Sequence, residues 1–407
     1  MHFWRSAPRT LISLLCGLCL VLILHACNSS KVSQSSTLTS TSSTVPSPQS
    51  PVSPLPTSKP IAASDTAENT TEGLYNPSRG DVRFVVISDL NSAYGSTDYE
   101  PEVDRAIALL PAWQPDVVLC SGDMIAGQNL SLSSDQIRAM WAAFDQHVAA
   151  PLRQSGVPFG FTIGNHDASG AQSSGGSFLF QQERDLAREY WNEPTHDPGI
   201  QFIDRDEFPF YYTFEFGDVF VMVWDGSAAT IPPEKLDWVE TTLTSPQARQ
   251  AKLRILLGHL PLYAVAVGRD APGEVLNSAD QLRAMLERHH VHTYISGHHH
   301  AYYPAHKGNL QLLHTGLLGS GPRPLIDSDV PSPKTVTVVD IHFNAPDRTT
   351  YTTYDMQTLQ PLELDRLPRF LAGHNGMVLR RDVTMEDLSA TERAICEQRL
   401  SREQCLA

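Results

Sequence analysis

Five short polar blocks lie along this chain in a fixed order, each directly behind an apolar run. They are Asp89-Leu90-Asn91, Gly122-Asp123, Gly164-Asn165-His166-Asp167, Gly258-His259 and Gly297-His298-His299-His300. The runs before them, Arg83–Ser88, Asp116–Cys120, Pro158–Ile163, Leu253–Leu257 and His292–Ser296, read as buried strands. Segments of helical spacing separate them: Glu102–Trp113, Asp135–Arg153 and Ala279–His290. Alternation of buried strand and helix predicts βαβ units. Polar groups at the carboxyl ends of neighbouring strands then converge on one sheet edge. Residues far apart in sequence are thereby brought to a single crevice.

Other elements follow from local signals. Tyr211–Trp224 alternates around Gly217-Asp218 and predicts a hairpin. Pro232-Pro233 opens a helix that runs to about Leu243, and Val336–Phe343 and Tyr351–Met356 read as late antiparallel strands. Ser389-Ala390-Thr391-Glu392 fits a capping box for one short final helix.

With 407 residues, 41% of them hydrophobic, the chain has ample material for a packed core. Its formal charge of −15 argues against a nucleic-acid partner, which requires a basic surface. Arg5 and Arg9 precede the apolar run Leu11–Leu24, which is shorter than the ~20 residues of a spanning helix. The run ends in Leu24-His25-Ala26-Cys27, which resembles a bacterial lipobox, although His25 stands where a small residue is usual. Residues 1–26 are expected to be a lipoprotein-type signal peptide. A lipid on Cys27 would tether the chain to a membrane at the cell envelope; an uncleaved anchor is the alternative. Residues 27–78 are mostly rich in Ser, Thr and Pro and read as a disordered linker. Residues 79–360 form the expected main domain, and 361–407 a C-terminal extension. Of six cysteines, Cys120 reads as a buried inert thiol, and an oxidising compartment would permit Cys396 and Cys405 to pair. No CxxC motif offers a thiolate zinc site.

The five blocks carry hard-oxygen and imidazole donors, enough to hold two divalent cations side by side, and paired cations of this kind activate water against phosphoesters. The ordered set resembles the calcineurin-like metallophosphoesterase superfamily, whose pattern is Asp-x-His, Gly-Asp, Gly-Asn-His-Asp/Glu, a later His and Gly-His-x-His. It spans roughly residues 82–304. The resemblance implies an α/β fold, a four-layer α/β/β/α sandwich of two mixed sheets flanked by helices, with the metal site at strand carboxyl ends. It implies two divalent or trivalent ions (Mn, Fe or Zn), a phosphoester substrate and in-line attack by a metal-activated hydroxide. Asp123 would bridge the ions, Asp89 and His300 would complete one site, and Asn165, His259 and His298 the other. His166 would be the catalytic histidine, oriented by Asp167, while His299 has no direct role. Asn91 departs from the pattern, standing where a histidine ligand is usual, so it either ligates weakly or only hydrogen-bonds. Ala126 stands where purple acid phosphatases carry a tyrosine.

Substrate choice is expected from the loops Asn91–Tyr99, Ala168–Gly176 and Gly316–Pro324. Arg323 is a candidate phosphate clamp, with an exposed loop arginine as the simpler reading. The insertion Ser177–Phe208, with Tyr190 and Trp191, is a candidate wall of the cleft. The competing class is a catalytically weak or inactive tethered envelope protein of the same fold that binds metal or a ligand; Asn91 is the feature that favours it.

Overall fold

The computed structural model describes residues 74–345 and 348–405. The expected signal peptide, Cys27 and the linker as far as residue 73 lie outside the described residues. In chain order the strands are β1 (Val82–Ile87), β2 (Val117–Cys120), β3 (Phe159–Phe161), β4 (Gln201–Glu207), β5 (Tyr211–Phe216), β6 (Val219–Val223) and β7 (Leu253–Leu257). They continue as β8 (Thr293–Ser296), β9 (Tyr302–Lys307), β10 (Leu310–Thr315), β11 (Thr335–Ile341), β12 (Thr349–Asp355), β13 (Phe370–Gly373) and β14 (Gly376–Arg380). One sheet has the order β12-β11-β1-β2-β3; the other runs β13-β14-β9-β10-β8-β7-β6-β5-β4. Both are mixed. β1, β2 and β3 are parallel, as are β6, β7, β8 and β10, and antiparallel strands flank each set.

Parallel strands are buried on both faces, which explains the unbroken apolar runs at β1, β2 and β6. A single core spans both sheets, with Val85, Leu119 and Phe161 on one side and Val221, Ile255 and Ile295 on the other. Across this interface the Tyr212 hydroxyl of β5 accepts the Phe161 N–H of β3 at 3.0 Å. Helices flank the sheets. Pro101–Trp113 has proline at its start, where no N–H is needed, and buries Val103, Ile107, Leu110 and Trp113. Ser133 and Gln136 form a capping box at the start of Ser134–Phe144. The expected single helix Asp135–Arg153 is interrupted by a π-helical turn, Asp145–Ala149, just before Pro151, which has no N–H to offer the normal ladder. Among the described residues no helix is long and apolar enough to cross a membrane.

Two expectations need correction. Tyr190 and Trp191 do not wall the cleft. They lie on the buried face of the helix Gln181–Asn192, and Trp191 stacks on Phe161 with ring centroids 3.8 Å apart. The extension after residue 360 is not separate from the domain either, because β14 pairs with β9 and brings β13 onto the edge of the nine-stranded sheet. The final helix, Ala390–Arg399, has the expected Ser389–Glu392 capping box and is tied down by a Cys396–Cys405 disulfide. Cys120 is a free, buried thiol.

The entry of the chain is fixed by a buried ion pair. Arg83 of β1 donates to both oxygens of Asp340 on β11, at 2.9 and 3.0 Å. The same guanidinium donates to Trp113 O, Asn76 Oδ1 and Pro77 O. Asn76 and Pro77, assigned to the linker from sequence, are therefore held on the domain. Asp340→Ala leaves Arg83 charged and buried without its carboxylate, and is expected to cost about 3–5 kcal/mol of stability. Chemical denaturation of the variant measures this, and a loss below about 1 kcal/mol would show that the pair does not fasten β1 to β11.

Candidate metal centre

Asp89 follows β1, Asp123 follows β2, Asn165 follows β3, His259 follows β7, and His298 and His300 follow β8. Four of these six have left-handed backbone: Asp89 (φ 49°), Asp123 (φ 55°), His298 (φ 65°) and His300 (φ 53°). Each such non-glycine residue costs on the order of 1–3 kcal/mol and persists only where its surroundings hold it. The glycines inside the blocks permit the crowding. A Cβ on Gly164 would sit 2.2 Å from Asp123 Oδ1, and one on Gly297 would sit 2.2 Å from Ser88 Oγ.

Asp167 does much of the holding. Its fully buried carboxylate accepts the N–H groups of Asp123 (2.9 Å), Met124 (2.7 Å), Ile125 (2.9 Å) and Gly164 (2.8 Å). Burial, and then the nearby Asp123 carboxylate, push the Asp167 carboxyl up, while the backbone donors pull the other way. The expectation that Asp167 orients His166 is corrected, since its oxygens are committed to the backbone of two loops. The His166 ring is placed instead by Gly127 O, 3.2 Å from Nδ1, and by the Tyr94 ring, 5.0 Å away between centroids.

The donor atoms converge. Asp89, Asp123 and His259 each offer an atom within 4.8 Å of the others, and all three are buried. His259 Nε2 lies 2.9 Å from Asn165 Oδ1 and 3.3 Å from Asp123 Oδ2. That Asp123 oxygen is buried without a hydrogen-bond partner, while its Oδ1 accepts the His166 N–H at 2.8 Å. His300 Nε2 lies 3.3 Å from Asp89 Oδ1. Asp89 also accepts from Ser88 Oγ at 2.5 Å and from the His298 N–H at 3.1 Å.

Each histidine has its other nitrogen tied to an acceptor behind it. His259 Nδ1 faces Ser121 O (2.7 Å), His300 Nδ1 faces Gly321 O (2.9 Å), and His298 Nε2 faces the Glu274 carboxylate (2.9 Å). An N–H committed backward leaves a lone pair on the remaining nitrogen, the tautomer a metal-binding imidazole needs. For His259 that lone pair confronts two oxygens, so a proton or a cation must lie among them. Burial disfavours the proton, yet the Asp123 carboxylate pushes His259 up to about 9. The donor set thus fits divalent cations: oxygen and imidazole ligands, one orphaned carboxylate oxygen and oriented rings.

Asn91 is buried behind Asp89, and its carbonyl accepts the Ser320 N–H. Among the described residues its side-chain amide forms no hydrogen bond with the cluster. His299 points away from the centre: its ring takes the Val265 N–H (3.3 Å) and meets Glu274 O (3.0 Å), pinning the loop that carries Glu274. Arg323 does not line the cleft; its backbone N–H goes to His300 O. The arginine at the cleft is Arg269, paired with Glu274 at 2.5 Å. The hydrogen bond from His298, followed by Arg269, holds Glu274 down to about 2 despite partial burial. The cleft, about 320 Å³, is lined by Tyr94, Gln128, Asn165, His166, Arg269 and Glu274, among others. Glu274, Arg269 and Gln128 went unnoticed in the sequence; Tyr94 lies in a loop already assigned to substrate.

The family model described as calcineurin-like phosphoesterase matches residues 82–302, more than half of the chain. No curated protein matches the sequence. A solved purple acid phosphatase from yellow lupin seeds is similar at 16% identity and TM-score 0.49, covering 71% of this chain and 54% of its own. The chain therefore spans about half of the lupin protein. The anchor in the inner membrane complex of Plasmodium is similar at 12% identity and TM-score 0.43, covering 78% of this chain and 94% of its own. A phosphoesterase from E. coli is similar at 10% identity and TM-score 0.31, covering 69% and 97%.

Asp167 and Glu274 act in different ways, which calorimetric metal titration and thermal melts separate. Glu274→Ala is expected to keep the melting temperature of the metal-free protein and weaken metal affinity about 10–100-fold. Asp167→Ala orphans four N–H groups and is expected to lose both stability and metal loading. An Asp167→Ala protein that melts and loads like the parent would refute the clamp.

Proposed function

Because the chain belongs to the calcineurin-like phosphoesterase family, we propose that it hydrolyses a phosphoester at a centre of two cations. The observation that carries this reading is the meeting of His259 Nε2, Asn165 Oδ1 and the orphaned Asp123 Oδ2, a buried set of donor atoms that a shared cation would satisfy together. Asp89, Asp123 and His300 would hold one ion; Asp123, Asn165, His259 and His298 would hold the other. Manganese, iron and zinc all suit these donors. When bound, such ions supply an activated water and neutralise phosphoryl oxygens.

The chain's own groups supply the rest. Water forms the new bond to phosphorus as the bond to the alcohol breaks, and the alcohol leaves with a proton. His166, its Nδ1–H turned to Gly127 O, presents Nε2 to the leaving oxygen and hands over that proton as the imidazolium, with both nitrogens protonated. Tyr94 braces the ring from the solvent side. Arg269, held by Glu274, stands at the cleft to donate to non-bridging oxygens. Asp167 acts through Asp123 by fixing its loop. Asn91 is left out of the ligand set, and the backbone of its loop supports the site.

We expect turnover of a chromogenic phosphomonoester or diester when Mn²⁺ is present. Asp123→Ala should abolish both metal loading and turnover. His166→Ala should retain the metals and lose about 10²–10⁴-fold in kcat. Failure of every metal and both ester types to give turnover would favour the binding-protein reading. Loss of metal on His166→Ala would overturn its assignment as the proton donor.

The place of action is part of the same proposal. The basic and apolar leader ending in Leu24-His25-Ala26-Cys27 supports an exported lipoprotein held to the membrane by a lipid on Cys27. Labelled palmitate should enter the expressed protein and be lost on Cys27→Ser. Incorporation that survives the substitution would reject Cys27 as the anchor.

A further inference from the structure

A second and larger cavity, about 890 Å³, opens beside the metal cleft. Ala171, Ala228 and Ala229 line both spaces, so the two adjoin along these residues. The junction is built. Arg184, buried in the helix Gln181–Asn192, pairs with Asp225 at 2.7 Å and donates to Ala168 O at 3.0 Å. Ser227 Oγ donates to Asp225 at 2.5 Å and accepts the Gly170 N–H at 2.8 Å. These bonds lock the segment after His166 against the segment after β6. The chain running on from His166 therefore becomes the wall that leads from the cleft into the cavity.

The walls of the cavity have a definite chemistry. Phe178, Phe210 and Tyr211 supply apolar surface. Arg184, Arg188 and Lys235 are matched in number by Asp225, Glu207 and Glu234. Arg184 is neutralised by Asp225, and Lys235 by Glu207. The space has no net charge to attract an anion, yet its rim is dense in hydrogen-bonding groups. Its volume suits a ligand of drug or sugar size.

Resting on the hydrolase reading above, we propose that this cavity receives the leaving alcohol of the substrate, and that this alcohol is bulky, uncharged and rich in hydroxyls, as in a sugar phosphate. The phosphoryl group would sit at the cations, the ester oxygen would face His166, and the carbon skeleton would follow Ala168–Phe178 into the cavity. Thr230, which lines the cavity and not the metal cleft, is exposed at its edge.

The test uses the full chain loaded with Mn²⁺ and follows phosphate release from ethyl phosphate, glucose 6-phosphate and 3-phosphoglycerate, with 4-nitrophenyl phosphate as a general reporter of hydrolysis. Glucose 6-phosphate is expected to exceed ethyl phosphate about tenfold or more in kcat/KM, mainly through KM, the worth of one or two net hydrogen bonds. Thr230→Trp should remove most of that advantage and leave ethyl phosphate within about twofold, since the metal cleft is untouched. Glu234→Lys, a surface change that makes the cavity cationic, should raise the rate with 3-phosphoglycerate relative to the parent. Equal kcat/KM for the ethyl and glucose esters, or a preference that Thr230→Trp leaves intact, would overturn the assignment. A parent preference for 3-phosphoglycerate would overturn the uncharged class. Absence of turnover with all four monoesters, the nitrophenyl reporter included, would overturn this inference, and a phosphodiester run alongside decides whether the hydrolase reading falls with it.

Discussion

One carboxylate gathers the centre. Asp167 takes four backbone N–H groups from the ends of two adjacent strands. Backbone dipoles, with the nearby His259, work against the cost of its burial. This arrangement makes the loop after β2 and the loop after β3 a single rigid piece. Asp123 can then keep a left-handed backbone, and His166 can present its N–H to Asp123 Oδ1. The second sheet closes the pocket from the other side, because His259 reaches across to Ser121 O and His298 reaches Asp89 through its backbone. A centre assembled from two sheets thus depends on hydrogen bonds, those of Asp167 among them, as much as on its donor atoms.

Much of this was legible in the sequence, for a physical reason. Strands of a parallel sheet are buried on both faces, so their apolar runs are continuous and the polar residue after each run marks the strand mouth. The buried strands before each polar block, the hairpin at Gly217-Asp218 and the final capped helix all follow from signals that local chemistry imposes. The errors had equally specific causes. The resemblance pairs Asp167 with His166, yet consecutive side chains on a helical turn diverge. Trp191 reads as a cleft wall only when the insertion Ser177–Phe208 is taken as a whole. In fact Leu186, Ala187, Tyr190 and Trp191 share one helical face, and that spacing alone points to the core. Glu274 could not be found: it lies in a loop without periodicity, and its value comes from a contact with His298 that only the tertiary fold creates.

The centre is costly to keep in its metal-free form. Four strained backbones, buried acids and close lone pairs share a small volume, so the protein stores unfavourable energy where chemistry is to occur. The surrounding shell offsets it: Ser121, Gly321 and Glu274 each accept from a histidine, and His299 stitches the Glu274 loop to Val265. Cations entering such a site find ring orientations already set, and little reorganisation is needed on binding.

The fastening at Arg83 has a geometric outcome. Asn76, Pro77 and Asp340 meet that guanidinium at the amino end of β1, and Asp89 stands beyond its carboxyl end. A strand of six residues separates the two by ~20 Å. Whatever precedes residue 74 joins the domain at the pole away from the cleft. An attachment made through that end would leave the mouth facing outward, so that reach, rather than obstruction by the supporting surface, decides which molecules the catalytic face can meet.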